Sequence, residues 1–165
     1  MSGKYASKTM VSAERSRAEI EATLRRYGAT QFAYGWDQAD GREYALIGFM
    51  MHSRKIRFRL PMPLREDPVI RLTPTRMLRT EAAAEKEYQR IVRQRWRALL
   101  LVIKAKLEAV ESGIVTFEDE WLAHTLLPDG RTVGESVQQT VEHAYQTGQV
   151  PALLPGIRQL PSGED

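Results

Sequence analysis

A chain of 165 residues with 42% hydrophobic and 27% charged residues is long enough for one domain with a real core and short for two. It contains no cysteine, which excludes disulfides, thiolate metal sites and cysteine nucleophiles, and no apolar run approaches the roughly 18 residues of a membrane span. The net charge of +3 conceals a split: residues 1–63 carry +5, residues 64–111 carry +4 and residues 112–165 carry −6, which turns the first two-thirds toward a polyanion and sets the last third apart.

Residues 1–11 are small and polar without periodicity and are expected to be disordered. They carry Lys4 and Lys8 but no apolar stretch, so the reading is a cytoplasmic chain without a secretory signal or membrane contact. Ser12 reads as an N-cap and Glu14 as a first-turn carboxylate. Ile20, Leu24 and Tyr27 keep helical spacing, and Gly28 ends a helix expected from Ala13 to Tyr27. The period then changes to two. Thr30 to Trp36 places Phe32, Tyr34 and Trp36 on one face of a strand. Asp40-Gly41 is a turn, Arg42 to Met51 reads as a central strand, and Ser53-Arg54 is a tight connection. Lys55 to Leu60 alternates, with Ile56, Phe58 and Leu60 on one side and Lys55, Arg57 and Arg59 on the other, until Pro61 and Pro63 stop it.

Residues 61–79 form a Pro- and Arg-rich connection of the length that is usually functional or mobile, and Val69 to Leu72 could add a short strand. Thr80 then caps a long helix running to about Glu111, closed by Gly113. Thr116 opens a short helix through about Leu126. Pro128-Asp129-Gly130 is a turn, and Thr132 with Glu135 forms a capping box for a helix to Thr147, followed by Gly148. Residues 151–165, with three prolines, read as an irregular tail. The fold class is therefore α+β, in the order α-β-β-β-α-α-α: a three-stranded antiparallel meander covered by the long helix. Residues 12–150 make one domain, divided into a basic α-β-β-β-α core (12–111) and an acidic helical part (112–150).

Two basic stripes carry the functional reading. Lys55, Arg57 and Arg59 repeat on one strand face at roughly 6.6–6.8 Å, near the phosphate repeat of an extended single strand. Along the long helix Lys86, Arg90, Arg93, Arg97 and Lys104 fall within an arc of about 60°, apart from the core arc of Val92, Trp96, Leu99 and Ile103. Each stripe also reads as a solvated face. Tyr34 and Trp36 stack bases if the aromatic ladder shares the basic face, and belong to the core if it shares the Ile56/Phe58 face. Catalytic signatures are weak. Glu120 and His124 are two potential metal ligands on one helix without a third, and Asp37, Asp40 and Glu43 flank an ordinary turn. No cofactor or metal is expected, since the chain has neither a P-loop nor a dinucleotide fingerprint.

Two segments, Tyr34-Gly35-Trp36-Asp37 through Ile56-Arg57-Phe58-Arg59-Leu60-Pro61, and Trp96 to Glu108 followed by Leu127-Pro128-Asp129-Gly130-Arg131-Thr132-Val133-Gly134, resemble a family of uncharacterised phage or prophage proteins. That resemblance implies a setting in DNA metabolism or host interference. The element order also resembles the double-stranded-RNA-binding domain and the phage strand-annealing proteins, as topology only. The expected function is a non-catalytic nucleic-acid-binding protein, for single-stranded DNA, in phage recombination or replication, and oligomerisation is compatible with it. Its contacts would be Lys55, Arg57, Arg59, Arg90, Arg93, Arg97 and Lys104, with Tyr34 and Trp36 stacking. The alternatives are a host- or phage-protein-binding inhibitor or adaptor using the acidic third, and a metal-dependent phosphodiesterase.

Overall fold

A computed structural model describes residues 3–151, with side chains from Ala13 onward. The element order is α1 (Gly3–Arg26), β1 (Thr30–Ala39), β2 (Arg42–Met51), β3 (Arg54–Pro61), α2 (Pro68–Arg71), α3 (Glu81–Glu111), α4 (Phe117–Trp121), a 3-10 turn (Leu122–His124) and α5 (Val133–Thr147). This is the expected α+β order. Helix α1 begins at Gly3 rather than Ala13, so the irregular segment expected over residues 1–11 is helical backbone from residue 3, and Ser12 lies inside the helix instead of capping it. Val69 to Leu72 forms no strand. Asp67 caps the short α2 there, its carboxylate accepting the Val69 N–H at 3.0 Å. The tail expected from residue 151 lies outside the described residues beyond Pro151.

The sheet is a meander in the order β1-β2-β3, antiparallel throughout. Both hairpins use two-residue turns with positive φ at each position: Asp40 (52°) and Gly41 (72°), then His52 (47°) and Ser53 (59°). That geometry matches the right-handed twist of paired strands. It places the second turn one residue earlier than the Ser53-Arg54 reading.

One sheet face builds the core. Ala45, Ile47, Phe49 and Met51 of β2 and Ile56 and Phe58 of β3 are buried there, with Phe32, Tyr34 and Trp36 of β1 packed against the same cluster. Ile20 and Leu24 of α1 and Val92, Trp96, Leu99, Ile103 and Leu107 of α3 cover it. Trp121 of α4 is fully buried and meets Phe49 and Phe58 edge-on at centroid distances of 5.8 and 5.9 Å. Edge-to-face contacts of this kind add to the area term.

The two sheet edges differ. Along β3 the Leu126 N–H donates to the Lys55 carbonyl at 2.7 Å and Thr125 bridges Ile56, so the segment after the 3-10 turn covers the start of that edge. Helix α5 follows, seated where Gly134 meets the backbone of Ala123; a Cβ at Gly134 would lie 2.9 Å from the Ala123 carbonyl oxygen. The other face of the sheet carries an open groove of about 420 Å³ over Ala33, Gly35, Leu46, Gly48 and Met50. No helix among the described residues is long and apolar enough to cross a membrane.

Candidate nucleic-acid interface

Strand β3 alternates as its sequence dictates. Ile56 and Phe58 are buried, and Lys55, Arg57 and Arg59 point to the opposite face. The expected comb of free cations does not result. The Arg57 guanidinium donates to Glu135 Oε2 at 2.6 Å and to the Gly130 carbonyl at 2.9 Å. Arg59 donates to Asp37 Oδ2 at 2.7 Å and lies 3.8 Å from the Tyr44 ring centroid. Of the three, only Lys55 has no such partner among the described residues. The same Glu135 oxygen accepts the Thr132 N–H at 2.8 Å, completing the α5 capping box. The Arg57–Glu135 pair thus ties the first turn of the acidic part to the basic sheet.

The aromatic ladder resolves to the core side. Register places Tyr34 opposite Ile47 and Trp36 opposite Ala45, both buried residues. Arg17 of α1 lies 4.2 Å from the Tyr34 ring centroid, and the Tyr34 hydroxyl donates to Glu21 at 3.3 Å. Burial first, and then the Glu21 carboxylate, push the Tyr34 phenol up to about 12. Tyr34 and Trp36 therefore face away from Lys55, Arg57 and Arg59, and the ring beside those cations is Tyr44, already covered by Arg59.

The second stripe survives better. Lys86, Arg90, Arg93, Arg97 and Lys104 are all exposed on α3. Arg90 pairs with Glu87 at 2.6 Å and Lys104 with Glu19 of α1 at 2.9 Å, while Arg93 and Arg97 make no salt bridge among the described residues. Lys104 foremost, then Arg15 and Arg97, hold the Glu19 carboxyl below its usual range. These three cations therefore gather about one carboxylate at the α1–α3 seam. Arg93 to Lys104 spans about 16 Å of helix. Arg15 is a member that sequence reading missed: starting the helix at Ala13 hid the arc it shares with Lys4 and Lys8 along α1, and its proximity to Arg97 depends on how α1 packs on α3.

The two stripes are not continuous. Helix α3 covers the core face of the sheet, and Lys55, Arg57 and Arg59 occupy the groove face, so the sheet separates them. The two stripes therefore make a ridge on the helical layer and, apart from it, a largely neutralised strand.

The arginines of the 61–79 connection are also engaged. Arg65 pairs with Glu85 and lies over Tyr88, and Arg71 reaches Glu66 and Glu81 at 3.3 and 2.9 Å. Two of the carboxylates weighed for catalysis are committed as well: Asp37 to Arg59, and Glu120 to Lys106 at 2.7 Å. His124 sits against Phe58, ring centroids 4.3 Å apart. Burial, reinforced by Lys106 and opposed by Glu120, lowers its pKa. Among the described residues no three His, Asp or Glu side chains are placed to hold a metal ion.

No protein-family model, no curated protein and no solved structure matches this chain.

Proposed function

We propose that the protein binds nucleic acid through its phosphate backbone, without catalysing a reaction on it, and that the α3 ridge is the contact surface. One observation carries this reading. Arg93 and Arg97 stand exposed and make no salt bridge among the described residues, near Arg15 and the Lys104–Glu19 pair, whereas Arg57, Arg59, Arg65 and Arg71 are spent on internal ion pairs. A straight helix presenting cations along one side tracks a polyanion without reading bases. The ridge residues include no aromatic ring, so affinity is electrostatic and sequence-independent. Single-stranded DNA as the ligand, and phage recombination or replication as the setting, belong to the same proposal and rest on the resemblance of the Tyr34–Pro61 and Trp96–Gly134 segments.

The test is fluorescence anisotropy with single- and double-stranded oligonucleotides. Four phosphate contacts predict an affinity loss between 50 and 200 mM salt of about 50-fold for a single strand and about 150-fold for duplex. The Arg93→Glu/Arg97→Glu variant should lose at least about tenfold in affinity and show a shallower salt slope. An Arg57→Ala/Arg59→Ala variant should bind nearly as the parent does. Retention of full affinity by the α3 variant would refute the interface, and tighter binding of duplex would refute the single-strand assignment.

A second reading, a protein-binding adaptor, is favoured by the far end of α5, where Val141 is 40% and Tyr145 89% exposed beside Glu142. It predicts a partner that survives nuclease treatment and is lost on Tyr145→Asp.

A further inference from the structure

The unfinished edge of the sheet carries an inference independent of the nucleic-acid reading. Natural sheets blunt a bare edge with lysine, proline, a bulge, inward charge or a covering segment, because unpaired backbone groups template further pairing. Strand β3 is covered at its start by Thr125 and Leu126. Strand β1 has no such cover among the described residues. The register shift between Thr30 and Ala33 confines irregularity to its start, and from Ala33 to Ala39 pairing with β2 is unbroken. That run spans about 23 Å. It contains no lysine, arginine or proline, and its one charge, Asp37, is held by Arg59. Among the described residues nothing hydrogen-bonds to its outer backbone groups.

We infer that β1 pairs antiparallel, about a two-fold axis at Gly35, with β1 of a second copy of this chain, giving a six-stranded sheet. The side chains of β1 suit this occupant. At the axis Gly35 meets Gly35, so no side chain crowds the approach. Tyr34 faces Trp36 of the other copy on the core side, an aromatic cross-strand pair. Ala33, exposed on the groove face, faces Asp37 of the other copy, so no like charges oppose one another. The C-terminal residues 152–165 make a poor competitor, because Pro155 and Pro161 interrupt any run long enough to match.

The pairing is tested on the full chain by sedimentation velocity from micromolar to submillimolar concentration, with amide exchange read at both ends of the range. The expected result is a dimer in which alternate amides of Thr30–Ala39 become slow as concentration rises. Ala33→Asp, which sets two carboxylates against Asp37 of the other copy, should weaken dimerisation at least about tenfold, the order of a cross-strand like-charge penalty. Ala33→Lys, which sets a cation there, should leave it intact. Circular dichroism should show both variants folded. A chain that stays monomeric overturns the inference. So do outward-pointing β1 amides, those not bonded to β2, already slow at the lowest concentration, which would mean that another segment covers the edge. A dimer lost in both variants, or in neither, overturns the pairing as drawn.

Discussion

Arg57 is where the basic and acidic parts of the chain meet. Its guanidinium is part-buried, holds Glu135 and the Gly130 carbonyl, and leaves the α5 capping box one oxygen shared between backbone and side chain. Pairs that remain partly solvated contribute modestly. A double-mutant cycle with Arg57→Met and Glu135→Gln should therefore return a coupling of about 1 kcal/mol in urea unfolding. A coupling indistinguishable from zero would mean that α5 is held by packing alone. His124 supplies a pH dependence. Its folded pKa lies below the ordinary histidine value of about 6.5. The unfolded chain thus binds the proton first as pH falls, so stability is complete above about pH 6.5 and declines below it. The melting temperature of the parent should drop from pH 7 toward pH 5. In His124→Phe, which keeps a ring on Phe58, that drop should shrink, and a variant tracking the parent across the range would sink the assignment.

At the scale of elements, what was legible in the sequence was local. Thr80, Thr116 and Thr132 each cap the helix that their spacing announced, and Gly148 closes α5 in the left-handed conformation. The short helix after Thr116 breaks into a 3-10 turn at Leu122 because Thr125 and Leu126 turn away to pair with β3. That demand comes from a strand more than sixty residues earlier, and no local pattern encodes it. Two substitutions test how these elements dock. Trp121→Ala empties the site between Phe49, Phe58 and Phe117 and should cost about 3–5 kcal/mol, a large part of a typical domain's stability. Gly134→Ala drives a methyl group against the Ala123 carbonyl. It should cost about 1–3 kcal/mol, with faster amide exchange concentrated in α5. Unchanged exchange there would show that α5 does not depend on this contact.

For the whole molecule, the charge asymmetry was real in composition but misleading in space. Composition distinguishes a basic core from an acidic end, and alternation puts Lys55, Arg57 and Arg59 on one face. Neither reveals that Asp37 and Glu135 stand opposite two of those cations, or that α3 carries its own cations to the far side of the sheet. The ridge of Arg93, Arg97 and Lys104 was visible as a helical stripe. Arg15 joins it only through the packing of α1 on α3. The candidate interface was thus half readable: the residues of a stripe follow from periodicity, while their freedom from partners follows from tertiary structure.

The placement of Trp121 also bears on how the chain is made. The meander is complete at Pro61, yet the ring that meets Phe49 and Phe58 is polymerised 60 residues later. At about 5–20 residues per second, a ribosome takes roughly 3–12 s to deliver it. Throughout that interval Phe49 and Phe58 lack the ring that packs between them, and final compaction waits until the last third of the polypeptide has been synthesised.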